Sequence, residues 1–176
     1  MQRYLAAWSA VLCLVALFHS VVGAPTHEKG NSTTPSYKEF QVIISDKEAG
    51  NALKRAIDAY KTFAGGRIFE HLVEVTTDKR ETIAHMRKAA QNSEAKFVEK
   101  LATLKKESSE FAEFKRGMIS NKVLKLTGMV LLIESDIAKT GKSDASADSL
   151  EKVQQLLQNN IKLDHDAAGL PQRGVA

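Results

Sequence analysis

Cysteine and tryptophan are nearly missing from the 176-residue sequence, which holds one of each, Cys13 and Trp8. Both lie in an apolar run, residues 5–18, that follows Arg3 and precedes a stretch of small residues. This pattern is typical of a secretory signal peptide. The run has about 14 residues, fewer than the roughly 20 that a membrane-spanning helix needs, so an uncleaved anchor fits it less well. We expect residues 1–23 to be removed and the mature protein to be secreted.

The predicted mature chain therefore contains no cysteine. This excludes disulfide bonds, thiol chemistry and cysteine-ligated zinc. A chain of this length buries about two-thirds of its unfolded surface without such bonds. We expect side-chain packing alone to hold the fold.

The excess of basic over acidic residues is small, 25 against 21. Many basic residues stand in adjacent pairs with acidic residues between them. The pairs are Lys54-Arg55, Lys79-Arg80, Arg87-Lys88, Lys105-Lys106 and Lys115-Arg116. This spread favours solvated helix faces over a polyanion-binding patch, and we expect no nucleic-acid partner. Processing proteases of the secretory pathway also cut at such pairs, although most of these lie within predicted helices.

Both ends of the predicted mature chain lack apolar periodicity. Residues 24–38 form a polar stretch with two prolines, Pro25 near its start and Pro35 near its end, so we expect a disordered arm there. The arm contains the only sequon, Asn31-Ser-Thr, and Asn31 is the predicted glycosylation site. Residues 170–176 are predicted to be a flexible tail, which leaves residues 39–169 as the folded domain.

Apolar residues recur at helical spacing in the first half of that domain. The first helix is predicted to open with a capping box, Ser45-x-x-Glu48, and to end at Gly65-Gly66. The second is predicted to start with Asp78-x-x-Glu81 and to continue to Leu104. Residues 67–75 suit either a short helix or an extended packed connection.

The second half predicts a central helix and a final one. Residues 119–139 carry apolar side chains on several sides, which indicates a helix covered by its neighbours, with Phe111 and Phe114 on a preceding turn or short helix. Gly117 and Gly128 would each cost about 1 kcal/mol in a regular helix, so we expect close packing there or a break near Gly117.

The last helix is predicted to start with Asp148-x-x-Glu151 and to stop at Gly169. Residues 40–44 alone resemble a strand, and one strand has no partner from which to build a sheet. The prediction is an all-α, four-to-five-helix antiparallel bundle with a flexible N-terminal arm and a short C-terminal tail. We expect a monomer without a membrane span in the mature protein.

No motif for catalysis or nucleotide binding is present, so we expect a non-enzyme without cofactor. Asp164-His165-Asp166 is the strongest polar cluster, but adjacent helix residues do not share a face, so we interpret it as a solvated helix end and expect no metal. Lys139-Thr-Gly-Lys142 is interpreted as a helix stop. The apolar helices leave a hydrophobic-ligand carrier as an alternative.

The charged side of the second predicted helix is the candidate interaction face. Its residues are Lys79, Arg80, Arg87, Lys88, Lys96 and Lys100. We expect these cations to meet an acidic protein partner mainly through salt-sensitive association.

Three segments resemble a group of small secreted proteins of ascomycete fungi. They are Phe40-Gln-Val-Ile-Ile-Ser-Asp46 with Ala49-Gly-Asn-Ala-Leu53, then Asn121-Lys-Val-Leu-Lys-Leu126, and Leu163-Asp164 with Ala167-Ala-Gly169. The resemblance implies a protein that faces a host or the cell wall, in several cases an effector candidate, and it implies no catalytic residues. A wall-associated structural protein is the alternative from a different class.

Overall fold

The computed structural model describes residues 35–45, 48–141 and 143–175, with the backbone alone for residues 42–45. The helices in these ranges are α1 Tyr37–Ser45, α2 Ala52–Ala64, α3 Thr77–Ala102, α4 Ser109–Thr140 and α5 Asp144–Asp166, with one 3-10 turn at Leu72–Glu74. The described ranges contain no strand. The prediction of an all-helical fold is confirmed. The predicted signal peptide and most of the predicted arm lie outside the described residues.

Helices α2 to α5 form an up-down-up-down bundle. Arg80 near the start of α3 pairs with Asp136 near the end of α4, and Glu94 further along α3 pairs with Lys125 further back on α4. These two helices are therefore antiparallel. Helix α5 returns along α4 and ends beside the start of α2, while α1 packs against α2 and α4.

Helix α4 is the centre of the bundle, because it packs against each of the other four helices. Its buried apolar side chains are Phe114, Val123, Leu124, Leu126, Val130 and Leu131. Burying a side chain of this size contributes about 1.5–3 kcal/mol. The sequence predicted a helix covered by its neighbours, and the structure confirms it: the apolar side chains on several sides of α4 pack against different helices.

Helix α4 is longer than the predicted residues 119–139 and includes both Phe111 and Phe114. It begins after Ser108, whose hydroxyl accepts a hydrogen bond from the amide of Phe111 at 3.1 Å. This N-cap satisfies an amide that the first turn of a helix leaves free. The separate turn or short helix predicted before residue 119 is therefore part of one continuous helix.

Close packing explains both glycines within α4. A Cβ atom on Gly117 would lie 1.7 Å from the carbonyl oxygen of Arg173, and one on Gly128 would lie 2.1 Å from the hydroxyl of Tyr60. The Tyr60 hydroxyl is buried there and donates to the carbonyl oxygen of Leu124 at 3.1 Å. Of the two expectations for these glycines, the close approach is confirmed and the break is absent.

The strand-like residues 40–44 belong to helix α1, so that interpretation was wrong. Phe40 is fully buried, with its ring edge-on to Tyr37 at 5.3 Å between centroids. A spacing of three residues between these rings is the contact of a helix and not of a strand. Ser45 is the last residue of α1, so the predicted capping box there is wrong as well, and α2 begins only at Ala52.

Two other helices begin earlier than predicted. Helix α3 is capped by Thr76 instead of Asp78, and the Thr76 hydroxyl lies 3.5 Å from its amide partner. Helix α5 is capped by Ser143, five residues before the predicted Asp148, in a reciprocal pair with Ser146. Serine, threonine and aspartate cap almost equally well, so a sequence with several of them does not settle which one is used.

The connection between α2 and α3 combines both predicted alternatives. It contains the 3-10 turn, and Ile68 and Val75 on either side of that turn are buried. The hydroxyl of Ser135 donates to the carbonyl oxygen of Leu72 at 3.4 Å, which ties the connection to α4. The predicted stop after Lys139 is confirmed, since α4 ends before Gly141 at a φ of 85°. Within the described ranges, no helix has the length and hydrophobicity that a bilayer-spanning segment requires.

Candidate functional site

A buried polar network joins the end of α5 to the start of α2. Asp164 is 4% exposed, and its Oδ2 atom accepts a hydrogen bond from the amide of Ala52 at 2.8 Å. The residue that precedes α2, Asn51, makes no side-chain capping bond. Asp164 therefore caps α2 from another helix, where its negative charge also suits the positive end of the helix dipole. The interpretation of Asp164 as part of a solvated helix end was wrong, whereas His165 and Asp166 beside it are exposed.

Arg55 brings a buried positive charge near this carboxylate. Its Nη1 atom donates to the carbonyl oxygen of Glu48 at 2.7 Å, while Nε and Nη2 have no partner among the described residues. Burial lowers the pKa of Arg55, and the negative charge of Asp164 acts in the opposite direction. The two charges offset part of each other's burial cost.

The C-terminal residues cover this network. Gln172 is 5% exposed, and its Oε1 atom accepts a hydrogen bond from the hydroxyl of Ser120 at 2.8 Å. The amide of Ala49 donates to the carbonyl oxygen of Leu170 at 2.9 Å, and Arg173 pairs with Glu113 at 2.6 Å. Residues 170–173, part of the predicted flexible tail, thus lie against the bundle. They cover the polar network from one side.

A second buried network centres on Asn121 of α4. Its Oδ1 atom accepts from the hydroxyls of Tyr37 at 2.8 Å and Ser93 at 3.2 Å, and its Nδ2 atom donates to the carbonyl oxygen of Ala90 at 2.8 Å. One side chain thereby connects α1, α3 and α4. A buried amide that is hydrogen-bonded to two neighbouring helices favours one arrangement of those helices.

Residues 50–52, 120–121 and 164–168, which are far apart in the sequence, meet at these networks. A Cβ atom on Gly50 would lie 2.6 Å from the Cβ atom of Ala168, and Asp164 caps α2 at Ala52. The hydroxyl of Ser120, next to Asn121, lies 3.5 Å from Oδ1 of Asp164. These contacts serve the packing of the bundle: Gly50 against Ala168, Asp164 on Ala52 and Ser120 beside Asp164.

Glu134 of α4 is a partly buried carboxyl group. Burial raises its pKa to about 7 from the ordinary 4.5. No hydrogen bond or ion pair joins it to a described residue. A carboxyl group whose pKa is raised in this way fits general acid–base chemistry only where a second reacting group lies beside it. Within the described ranges, no cluster of three His, Asp or Glu side chains suits a metal ion.

The six residues of the predicted interaction face do not lie on one face of α3. At 3.6 residues per turn, Lys88 lies opposite the buried stripe, Arg80 and Arg87 flank that stripe on one side, and Lys96 and Lys100 flank it on the other. The buried stripe consists of Ile83, Met86, Ala90, Ser93 and Phe97.

Two of the six cations are engaged by acidic residues of α4. Arg80 pairs with Asp136 through two contacts of 2.7 and 2.9 Å. Lys100 lies 3.5 Å from Glu110 and 5.2 Å from the centroid of the Phe114 ring. These contacts hold α3 against α4. The two side chains are therefore engaged within the fold and are less available to a partner.

The other four cations differ in exposure. Lys79 lies beside Gly65, and Arg87 donates to Gln91 at 3.0 Å. Lys88 and Lys96 are exposed and make no ion pair with a described residue. These two are the cations that remain available on α3.

Exposed apolar side chains complete the surface. Val98 of α3 is 60% exposed, and Leu156 and Leu163 of α5, seven residues apart on one side of that helix, are 52% and 51% exposed. We define the outer face of α3 by its exposed residues Lys88, Asn92, Ala95, Lys96, Val98 and Glu99. This face combines two cations with an apolar side chain. Asn31, the predicted glycosylation site, lies outside the described residues.

A comparison with known families gives one match. A family model described as a domain of unknown function, DUF8454, matches residues 32–176, which include every helix described above. No curated protein and no solved structure matches the chain significantly. The match carries no activity, ligand or partner.

Proposed function

This chain belongs to the DUF8454 family, and we propose that it is a secreted, non-enzymatic protein that binds an acidic protein partner through the outer face of α3. The observation that carries the proposal is the pair Lys88 and Lys96, both exposed and without an ion pair among the described residues. Positive charges of this kind attract acidic surfaces over distances of about a Debye length, roughly 8 Å at physiological salt. The partner belongs to a host or to a neighbouring cell.

The distribution of polar groups supports binding over catalysis. Asp164, Asn121 and Ser120 are each less than 5% exposed, and their hydrogen bonds run to other parts of the fold. Such groups are occupied in stabilising the bundle. Lys88 and Lys96 are exposed and make no hydrogen bond or ion pair with a described residue.

Val98 gives the outer face an apolar contact point. It is 60% exposed and lies about 80° around the helix from Lys88, at one edge of the outer face, whereas Lys96 lies at the other edge. Interfaces commonly combine an apolar centre, which supplies affinity, with charged residues at the rim, which accelerate association. The outer face of α3 has both elements within three turns.

The signal-peptide pattern in residues 5–18 supports the secreted part of the proposal. N-terminal sequencing of the protein recovered from the medium should give a start near Ala24. A start at Met1 would contradict secretion through this signal.

Partner binding is tested with two charge-matched double variants of the tagged protein. One carries Lys88→Glu and Lys96→Glu on the outer face, and the other carries Lys38→Glu and Lys152→Glu at exposed positions of α1 and α5. A protein partner is first captured from host extract and from the producer's own wall, and its association rate is then measured at several salt concentrations. We expect roughly tenfold slower association and a weaker salt dependence for the outer-face variant alone.

Equal behaviour of both variants would eliminate the outer face of α3 as the binding site. Retention on wall polysaccharide instead of on a protein would favour the wall-associated alternative. A stoichiometric lipid extracted from the purified protein would favour the ligand carrier, because a ligand buried in the bundle needs no charged exterior.

A further inference from the structure

One of the five dibasic pairs differs from the others in its setting. Lys105-Lys106 lies in residues 103–108, the loop between α3 and α4, and both side chains are exposed. The other four pairs lie inside α2, α3 or α4. An endoprotease binds its substrate as an extended strand, so a helical pair becomes a substrate only after the helix unwinds.

Tertiary contacts add to the protection of the helical pairs. Arg55 is 9% exposed, and Arg80 is held by two contacts with Asp136. Arg116 donates from Nε to the carbonyl oxygen of Pro171 at 2.6 Å. Unwinding at these sites breaks helical and tertiary contacts together, and the open state is correspondingly rare.

The loop that holds Lys105 and Lys106 opens at a much lower cost. Its hydrogen bonds are all local. The amide and hydroxyl of Ser108 donate to the carbonyl oxygen of Lys105 at 3.0 and 2.7 Å, the amide of Leu104 donates to that of Leu101 at 3.3 Å, and the amide and hydroxyl of Thr103 donate to that of Lys100 at 3.2 and 2.8 Å. Each such bond contributes about 0.5–1.5 kcal/mol net. The six loop residues provide four positions up to and including Lys106 and two beyond it, so an extended substrate strand forms at the expense of these bonds and some fraying of the helix ends.

We propose that Lys105-Lys106 is a processing site for an endoprotease specific for paired basic residues. Water hydrolyses the peptide bond between Lys106 and Glu107, which leaves a new carboxylate on Lys106 and a new amino group on Glu107. The first product chain ends after α3, and the second begins just before α4.

The two product chains remain associated without a covalent link. The interface between α3 and α4 keeps the bond from Asn121 to the carbonyl oxygen of Ala90 and the pair of Glu94 with Lys125 at 2.6 Å. Asp164 of the second chain still caps α2 of the first. The product is a two-chain protein held by the same core as the intact chain.

The proposal is tested by incubating the folded full-length chain with a purified endoprotease specific for paired basic residues. We expect mass spectrometry to find the first cut between Lys106 and Glu107, with both fragments eluting together from a sizing column at the volume of the intact chain. A synthetic peptide of residues 101–110 tests whether the protease accepts this sequence at all. An uncut peptide, a first cut at one of the other four pairs, an uncut protein or fragments that separate on the column would each overturn the proposal.

Two variants identify the residues that direct the cut. The double change Lys105→Gln with Lys106→Gln should abolish the fragment pair, since the protease then finds no paired cations in the loop. Lys115→Gln, an exposed change within the helical pair Lys115-Arg116, should be cut at the rate of the parent chain. Equal loss of cutting in both variants, or none in either, would show that the loop pair does not direct the protease. None of these residues lies on the outer face of α3, so failure here is distinct from failure of the proposed function.

Discussion

The interior around α4 and the outer face of α3 use polar residues in opposite ways. Inside, Asn121 and Asp164 are nearly inaccessible and each bonds to residues of another helix. Outside, Lys88 and Lys96 are exposed and make no ion pair with a described residue. Removing a buried polar group leaves its partner without a bond, whereas changing an exposed charge leaves the fold nearly as it was. The interior therefore determines the fold, and the exterior is free to determine the partner.

The largest expected difference between the interior and the exterior is the difference in stability between two leucine-to-alanine variants. Leu126 of α4 is 5% exposed, so Leu126→Ala should lower the free energy of unfolding by about 2–5 kcal/mol through lost burial and the cavity left behind. Leu156 of α5 is 52% exposed, and Leu156→Ala should change stability by no more than about 0.5 kcal/mol. Urea denaturation followed by circular dichroism measures both. Similar costs for the two variants would mean that α5 is covered in solution or that α4 is not central.

The second test concerns the cap that α5 provides for α2. Asp164→Ala removes the acceptor of the Ala52 amide and leaves Arg55 without its nearby negative charge, so we expect a loss of about 1.5–3 kcal/mol, typical of hydrogen bonds to charged groups.

Asp166→Ala is the matched control for this cap. Asp166 is an exposed aspartate that pairs with Lys162 one turn away. Its loss should cost about 0.5 kcal/mol or less, as for other exposed helix pairs. Equal thermal midpoints for the two variants would contradict the role of Asp164.

The sequence predicted the helices, but it could not predict the partner of Asp164, and the reason is the range of the interactions. The helices were predictable because their apolar residues recur at the helical period, which is a local pattern. The partner of Asp164, the amide of Ala52, is 112 residues away along the chain. No local pattern connects the two, so Asp164 could only be interpreted from its immediate neighbours, His165 and Asp166.

The surroundings of the six cations of α3 were only partly predictable for a similar reason. Spacing along α3 places Lys88 and Lys96 away from the buried stripe, and the sequence alone indicates as much. That Arg80 meets Asp136 and Lys100 meets Glu110 depends on the register of α3 against α4. The register follows from the packing of both helices, including the close approach at Gly128, and the charges alone do not fix it.

A third test asks whether the C-terminal residues belong to the interior. In an open helix, Gly117→Ala would stabilise the protein by about 1 kcal/mol. Here the added Cβ atom would collide with the backbone of Arg173, and overpacking of this kind costs about 1–3 kcal/mol. We expect a net loss of up to about 2 kcal/mol in the full chain, measured by chemical denaturation.

A truncated chain that ends at Gly169 gives the control for this collision. Arg173 is then missing, so Gly117→Ala should be neutral or should stabilise the helix by up to about 1 kcal/mol. A loss of the same size in both chains would show that the collision is not with the C-terminal residues. Position 117 would then have another constraint within the bundle.

The smallest expected effect comes from Glu134. Its carboxyl group is partly buried, so its exposure lies between that of the buried polar groups around α4 and that of the cations on the outer face of α3. Its pKa in the folded protein is raised to about 7 from 4.5, so between these values the folded state holds a proton that the unfolded state has lost. Stability must therefore fall as the pH rises through this window, and the full cost is present above pH 7 and absent below about 4.5.

Because the side chain is only partly buried, we expect Glu134→Gln to stabilise the protein at pH 8, relative to its effect at pH 4, by about 1 kcal/mol. Glu99→Gln, an exposed change on the outer face of α3, is the matched control. Denaturation midpoints of both variants and the parent chain at pH 4 and pH 8 measure it, and a difference of the opposite sign would mean that Glu134 is stabilised in its charged form.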